Sequence, residues 1–455
     1  MSIQVAHRIF TTIGLAAALL LAGCGGGGSS GTAPPAPGTL DMTFGNAGTV
    51  ITPISVNAYA NALAIQPDGR IVVAGSASDG ALAQYQPDRT NIALARYQPN
   101  GSLDPTFGIG GIVVTPIVID ATNEASAASL VLQSDGKIVV AGTATGFTAN
   151  LSDYKAYCVL ARYNPDGKLD ATFGVDGVVL HDPGGYFRSS CIAVAIQADG
   201  KLVALMQSGP SLGIQVARFN AGGSRDQSFG IDGVALAPMD PTPSPLAIAI
   251  QADGKIVAAA RWSTGPGHGS NVAHFAVARV DANGNGDLAF GDEGVVTGTL
   301  PECCVDSGSV LLQQDGRIVV VVSSVVLRLL PSGALDPRFG DGGIATVTSP
   351  DPHAYVAYVA GALQANDKIV IAGGGTFGFS VARLTAAGFL DSMFGDNGRF
   401  DTKIGELGGA SAVAVQPDGR IVAAGTPGSL RVPPNPDLSL DQFNFGLVRY
   451  FGDPQ

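Results

Sequence analysis

The clearest indication of the fold lies at residues 66–75, which read Gln66-Pro67-Asp68-Gly69-Arg70-Ile71-Val72-Val73-Ala74-Gly75. Proline presets the first corner of a turn, aspartate can bond its own backbone, and glycine accepts the left-handed conformation that the turn requires. An apolar run at residues 62–65 precedes the turn, and a second run at residues 71–74 follows it. The stretch therefore predicts a β-hairpin.

The same turn recurs along the chain, so the sequence is built from repeats. Each copy begins with a glutamine, and successive glutamines lie 67, 64, 54, 62, 51 and 52 residues apart. A second motif, Gly-x-x-Asp-x-x-Phe-Gly-x-x-Gly, also occurs seven times. Seven units of this length predict a closed ring or a stack of similar modules. The glutamines are Gln66, Gln133, Gln197, Gln251, Gln313, Gln364 and Gln416.

An arginine precedes the motif aspartate by eight residues in six copies. We interpret each pair as an ion pair across a turn, with the motif phenylalanine as a wedge between neighbouring units. As a surface ion pair, each would contribute only about 0–1 kcal/mol to the stability of the fold. The pairs are Arg96 with Asp104, Arg162 with Asp170, Arg218 with Asp226, Arg279 with Asp287, Arg328 with Asp336, and Arg383 with Asp391.

The seventh arginine, Arg449, has no motif aspartate after it, whereas Asp41 near the other end has no arginine before it. We therefore hypothesise that residues 38–54 complete the last repeat and that Asp41 serves Arg449. A stacked solenoid would leave both ends unpaired and would need polar caps.

Each repeat contains four strand-like segments. The predicted fold is all-β: a seven-bladed β-propeller of four-stranded blades over residues 38–455, with the last blade closed by the N-terminal strand. The repeated turns then share one face, and the variable loops lie on the other. Function usually resides on loops that a rigid scaffold positions.

The two motifs together resemble the delta-60 repeat, a bacterial repeat of predicted β-propeller structure and unknown function. The resemblance covers nearly all of residues 38–455. It implies a propeller and carries over no catalytic residue and no cofactor.

The first 37 residues predict export rather than fold. A short positive head and an apolar run indicate a signal peptide over residues 1–23. Leu21-Ala22-Gly23-Cys24 is similar to the lipobox of bacterial lipoproteins. That similarity implies cleavage before Cys24, attachment of acyl chains such as palmitate, and a membrane anchor, with Gly25 favouring the outer membrane. Residues 24–37 are rich in Gly, Ser and Pro and predict a flexible tether. The predicted location is therefore the bacterial cell envelope.

Composition excludes several function classes. With 37 acidic residues against 25 Lys and Arg, the net charge of −12 argues against nucleic acid as a partner. Two weak metal motifs occur. His268 and His274 lack an acidic partner. The calcium-like run from Asp281 to Asp287, with Asp292 at its twelfth position, overlays residues 98–104 without a gap, as repeat drift explains. We predict no metal and no cofactor.

The expected state of each cysteine after position 24 follows from its place in the repeat. Cys158 and Cys191 occupy strand positions in neighbouring repeats, and we expect two buried, small apolar residues. Cys303 and Cys304 share a loop, and a vicinal disulfide, free thiols or thiols paired with other partners all fit the sequence.

The predicted function is that of an envelope lipoprotein, anchored to the membrane through Cys24, whose non-enzymatic propeller binds a protein or a glycan through the variable face. Two alternatives stay open: a carbohydrate-active hydrolase or lyase with carboxylates around the axial channel, and a structural or adhesive module. The sequence does not indicate an oligomeric state. Aromatic residues and arginine dominate binding hot spots. The candidate contacts on the long loops are therefore Tyr85, Arg89, Tyr154, Arg261, Trp262 and Arg431.

Overall fold

The computed structural model describes most of the chain after residue 34. The described residues are 35–78, 89–119, 124–147, 154–182, 190–207, 213–237, 239, 243–264, 272–301, 307–349, 351, 356–376, 378–429 and 442–453. The predicted signal peptide, Cys24, and the predicted tether up to residue 34 lie outside them. Over the described ranges every regular element is a β-strand. No helix within these ranges has the length and apolar character that crossing a membrane requires.

The strands are numbered β1–β29 in chain order. The first fifteen are β1 Thr49–Thr52, β2 Asn57–Ile65, β3 Ile71–Ser78, β4 Thr90–Tyr97, β5 Ile112–Thr115, β6 Glu124–Leu132, β7 Ile138–Phe147, β8 Tyr154–Tyr163, β9 Val178–His181, β10 Ser190–Ile196, β11 Leu202–Gln207, β12 Ile214–Phe219, β13 Val234–Ala237, β14 Ser244–Ile250 and β15 Ile256–Thr264. The others are β16 Val272–Val280, β17 Val295–Leu300, β18 Gly308–Leu312, β19 Ile318–Val322, β20 Val325–Leu329, β21 Ile344–Thr346, β22 Val356–Leu363, β23 Ile369–Gly375, β24 Gly378–Leu384, β25 Arg399–Thr402, β26 Leu407–Val415, β27 Ile421–Ser429, β28 Gln442–Phe443 and β29 Phe445–Tyr450.

Antiparallel pairing between consecutive strands groups the described strands into four-stranded sets, which confirms the predicted all-β class. Sets 1 to 6 are β2–β5, β6–β9, β10–β13, β14–β17, β18–β21 and β22–β25. Set 7 consists of β26, β27, β29 and β1, with the two-residue β28 beside β27.

Set 7 joins the two ends of the described chain. β1 pairs with β29 in antiparallel register, from Thr49 opposite Val448 to Thr52 opposite Phe445. Just before β1, the Gly38 amide donates to the Phe451 carbonyl, and the Phe451 amide donates to the Thr39 carbonyl. The N-terminal segment therefore supplies the outermost strand of set 7.

Gly38 occupies the place that a turn glycine takes in the other sets. Its φ is +84°, close to the +91° of Gly101, and both lie in the left-handed region. A Cβ added at Gly38 would lie 2.4 Å from the Gly395 nitrogen, and one added at Gly101 would lie 3.0 Å from the Gly45 nitrogen. Any other residue at position 38 would collide with the backbone of set 6.

The core lies between facing sheets. The middle strands are almost fully buried, and all eight residues of β3 are buried. Seven apolar clusters each join residues of two neighbouring sets. One of them packs Phe445 and Leu447 of set 7 against Ala93 and Tyr97 of set 1. Apolar side chains therefore stabilise the stacking of each sheet on the next.

Cys158 and Cys191 are buried, as expected, but the expectation that they act only as two small apolar residues is wrong, because they form a disulfide. Cys158 lies in β8 of set 2 and Cys191 in β10 of set 3, with Cα atoms 4.7 Å apart. The two positions are 33 residues apart in sequence and meet only because the two sheets face each other. Cys303 and Cys304 lie outside the described residues.

We predict that the Cys158→Ala, Cys191→Ala double variant is less stable than the wild type by about 3–4 kcal/mol, since the disulfide closes a loop of this length in the unfolded chain. Denaturant unfolding with and without dithiothreitol measures the loss. The variant itself should not respond to dithiothreitol. An unfolding midpoint of the wild type that ignored the reductant would contradict the prediction.

Candidate functional site

The sets present two chemically different ends. The connections between first and second strands and between third and fourth strands, such as residues 66–70 and 98–111, lie at one end, which we call the turn face. The second strands end, the third strands begin and the fourth strands end at the other, which we call the loop face; Ser78, Thr90 and Thr115 mark it in set 1.

Each motif arginine contacts its motif aspartate at the turn face. Arg96 Nε donates to Asp104 Oδ2 over 2.8 Å, and the seven equivalent distances are 2.7–2.9 Å. Asp41 completes the series by accepting from Arg449. The guanidinium carbon of Arg96 lies 4.6 Å from the centre of the Phe107 ring, a cation–π contact that recurs in all seven sets.

These ion pairs are buried, which corrects their interpretation as surface pairs. The Arg96 side chain is 7% exposed and that of Asp104 is inaccessible, because the next sheet packs over them. The same arginines also join neighbouring sets. Arg279 Nη1 donates to the carbonyl of Pro331 in set 5 over 2.8 Å, and Arg449 Nη1 donates to the carbonyl of Pro99 in set 1.

Each motif carboxylate also contacts a second cation, which was not predicted from the sequence. It directly follows the Asp-Gly turn in six copies and Asn-Asp in the seventh, and its nitrogen lies 2.9–3.4 Å from the motif carboxylate. The sevenfold recurrence of a basic residue at this position would have revealed it. These cations are Arg70, Lys137, Lys201, Lys255, Arg317, Lys368 and Arg420.

Because of these contacts the motif carboxylates are structural groups. Hydrogen bonds from Thr172, together with the charges of Arg162 and Lys137, lower the pKa of Asp170 to about 2. At Asp41 burial acts to raise the pKa, but the Thr43 hydrogen bonds and the two arginines outweigh it and the pKa falls. A carboxylate that stays ionised and fully hydrogen-bonded cannot act as a general acid near neutral pH.

The first strands of the seven sets line a central channel of about 840 Å³. Each of these strands contacts the first strands of the sets before and after it, including β2 with β26. Six of them carry a β-bulge that turns one extra residue into the channel. The bulged residues are Asn61, Ala128, Ile192, Leu246, Val359 and Ser411.

The channel wall is uncharged. Among the described lining residues, Tyr59 alone has an ionisable side chain, and Asp, Glu, His, Lys, Arg and Cys are all missing. Several polar side chains tie neighbouring strands together: Asn61 Nδ2 donates to the Ala127 carbonyl over 2.8 Å, and Ser309 Oγ accepts from the Gly361 amide over 3.0 Å. The described wall therefore lacks the converging carboxylates that a channel hydrolase needs.

Two aromatic pairs mark the loop face. The rings of Tyr59 and Phe443, at the channel mouth, have centroids 5.1 Å apart. The Trp262 ring stacks on His274 with centroids 4.9 Å apart and planes inclined by 14°. Tyr59 was not singled out from the sequence, because only the fold brings it beside residues more than 380 positions away.

The predicted loop contacts are only partly visible. Arg89 is exposed just before β4, and Arg261 and Trp262 are half-buried near the end of β15, where Arg261 Nη1 donates to Ser263 Oγ. Tyr154 begins β8, but its side chain is outside the described set. Tyr85 and Arg431 also lie outside it. Arg261 and Trp262 are neighbours on β15, so their side chains leave opposite faces of the strand, and the described residues place neither of them beside Arg89.

The calcium-like run forms a local turn. The Asp281 carboxylate accepts hydrogen bonds from the backbone amides of Asn283 and Asn285, and from the Asn285 side chain. In the described part of the chain, no three His, Cys, Asp or Glu side chains are close enough together to hold a metal ion.

His181 provides a pH-dependent prediction. Burial, followed by the Arg225 charge, lowers the pKa of His181 to about 4. The unfolded state then binds a proton between pH 6.5 and pH 4 that the folded state does not. Neutral His181 therefore contributes about 3 kcal/mol to the free energy of unfolding. This contribution is fully present above pH 6.5 and is lost as the pH falls towards 4.

Denaturant unfolding at several pH values tests this expectation. The His181→Phe variant should lose the slope in this range, whereas His274→Phe, at the loop face, should keep it. An unchanged slope in His181→Phe would show that other groups cause the acid sensitivity.

The repeated sheets and the comparison with family models define a β-propeller. The model of a family described as "Domain of unknown function (DUF5122) beta-propeller" matches residues 66–88, 89–107, 133–173, 197–229, 251–290, 313–339 and 364–394. The chain belongs to this β-propeller repeat family, as its resemblance to the delta-60 repeat led us to expect. The first two matches are consecutive parts of set 1, so the matches cover sets 1 to 6.

Several solved structures align with this chain at low sequence identity and with TM-scores below 0.5. A catalytically inactive virginiamycin B lyase from Staphylococcus aureus with quinupristin is 11% identical, with a TM-score of 0.44, 88% of this chain covered and 98% of that one. The polysaccharide lyase Uly1 is 13% identical, with a TM-score of 0.46 and coverages of 90% and 91%. An α-L-arabinanase from Penicillium chrysogenum is 10% identical, with a TM-score of 0.44 and coverages of 88% and 96%. No curated protein sequence matches this chain.

Proposed function

We propose that this chain is a lipid-anchored protein of the bacterial cell envelope whose propeller is a non-enzymatic scaffold. It binds a glycan or a protein through the loop face, at the mouth of the central channel. The ligand is uncharged where it enters the channel, because an ionic group there would lose its hydration without gaining a counter-charge.

The scaffold in this proposal is a closed ring of seven blades. Its support is the pairing of β1 with β29, the ion pair of Asp41 with Arg449, and the apolar cluster between sets 7 and 1. A closed ring holds the loops of all blades around one channel. Such a rigid frame lowers the entropic cost of binding, since the contact residues are already in place.

The anchor in this proposal is acylated Cys24, on the outer membrane. Two or more acyl chains are needed for stable attachment, since one chain binds a bilayer only marginally. Mass spectrometry of the chain purified from membranes would detect the acyl groups on Cys24. A mature chain that began elsewhere and carried no lipid would refute this part.

The observation that carries the binding proposal is the uncharged channel with an aromatic mouth. Tyr59 is 38% exposed, and its ring packs beside Phe443 at the loop-face end of the wall. Aromatic rings offer flat apolar area with little loss of side-chain entropy, and they are enriched in binding hot spots. An enzymatic site would need general acid–base groups, which the described wall does not provide.

Glycan arrays that include neutral and acidic sugars, together with pull-down from solubilised envelopes, test the proposal. We expect neutral glycans or a protein partner to bind, and Tyr59→Ala to weaken binding about tenfold. Ile109→Ala, on the turn face, is the matched control and should bind normally. Turnover of a broad substrate panel would overturn the non-enzymatic assignment, and equal binding by both variants would overturn the site.

A further inference from the structure

The turn face carries an unusual number of exposed apolar side chains. Among the described residues, eight large apolar side chains are more than 60% exposed, and seven of them lie at the turn face. Six of the seven belong to connections between third and fourth strands, and Met42 occupies the equivalent position in the segment before β1. The eighth, Val118, lies at the loop face. The seven are Met42, Ile109, Val175, Ile231, Leu288, Phe389 and Met393.

These residues are spread over six of the seven sets. Ile109, Val175 and Ile231 occupy the same position, the residue after Phe-Gly, in three consecutive sets, and their exposed fractions are 90%, 78% and 82%. Exposed apolar side chains gathered on one side of a molecule mark a surface that contacts another apolar phase.

The N-terminal segment enters the propeller at the same face. The Pro37 carbonyl accepts from the Gly395 amide, which lies in the third-to-fourth connection of set 6, and Gly38 follows directly. The segment between Cys24 and this point is short and rich in Gly, Ser and Pro. Such a tether spans roughly 20 Å on average, so an anchor at Cys24 would hold the turn face near the bilayer.

We propose that the turn face rests on the lipid bilayer that holds the acylated Cys24, with its seven apolar side chains at the headgroup level. The inference depends on the lipid anchor in the proposed function and adds an orientation to it. The loop face then points away from the membrane, towards soluble or surface partners. Six of the first turns on this face are locally neutral, because their aspartates are each paired with the following basic residue.

Quenching of tryptophan fluorescence by brominated phosphatidylcholine tests this orientation. The acylated full chain is reconstituted into zwitterionic phosphatidylcholine vesicles, because the net charge of −12 would repel an anionic surface. The native Trp262 is first replaced by phenylalanine. Single tryptophans are then introduced as Ile109→Trp and Ile231→Trp at the turn face and as Val118→Trp, the exposed control, at the loop face.

We expect brominated lipid to reduce the emission of both turn-face tryptophans at least twofold and to leave that of Val118→Trp unchanged. Absence of quenching in an acylated chain would overturn the orientation alone, as would equal quenching at all three sites. Self-association in detergent through the turn face, seen by sedimentation, would assign the apolar side chains to a second copy instead. A chain without lipid on Cys24 would overturn the anchor together with the orientation.

Discussion

Removing residues 1–54 should abolish cooperative folding of the propeller, whereas removing residues 1–34 should leave its unfolding transition unchanged. The longer deletion removes β1 from the edge of β29 and takes Phe44 out of the core. It also leaves the Arg449 guanidinium buried without its carboxylate partner.

The expected effect is large compared with the stability of a domain. Losing the burial of Phe44 costs about 2–3 kcal/mol, and a buried charge without its partner costs about 3–5 kcal/mol. Net stabilities are about 5–15 kcal/mol, so the deletion removes a large share of the whole.

Circular dichroism during heating and limited proteolysis would measure the outcome, with the 1–34 deletion as the control. An intermediate variant, Asp41→Asn, separates the charge from the strand, since it keeps β1 and loses the ion pair. A 1–54 deletion that melted like the control would show that the N-terminal segment does not belong to the last set.

Arg218→Met should destabilise the chain by about 3–5 kcal/mol, whereas Lys201→Met should cost at most about 1 kcal/mol. Both cations contact the Asp226 carboxylate, but the Arg218 side chain is 7% exposed and that of Lys201 is 30% exposed. Arg218 also donates to the Ala282 carbonyl of the next set and lies over the Phe229 ring. The buried cation therefore joins two sheets, and the half-exposed one is screened by water.

Denaturant unfolding of both variants measures the difference. The double variant Arg218→Met, Asp226→Leu should recover most of the loss, because replacing a buried ion pair with apolar groups is often neutral. Equal effects of the two single variants would mean that burial does not distinguish the two cations.

The turns, the strands that follow them and the arginine–aspartate pairs could be predicted from local sequence. The Asp-Gly turns, the strand after each of them and the spacing from arginine to aspartate depend on residues close together in the chain, and repetition made them certain. The basic residue after each turn repeats as regularly, but its contact with the motif carboxylate was not predicted from the sequence. Its partner lies on another connection of the same set, up to 34 residues away in six of the sets. In set 7 the partners Arg420 and Asp41 come from opposite ends of the chain.

Contacts between sheets could not be derived from local pattern. Nothing near Cys158 indicates Cys191, and nothing near Arg96 shows that the next sheet covers it. The aromatic mouth formed by Tyr59 and Phe443 depends in the same way on how the first and last sets meet.

By itself, the amino-acid sequence determined the repeat, the strand order within each set and the glycine positions, because turn geometry and alternating apolar residues are local properties. The tertiary structure decided which charges are buried, which cysteines pair and what lines the channel. Those outcomes depend on contacts between different sheets, and the packing of apolar side chains between the sheets sets the distances of those contacts.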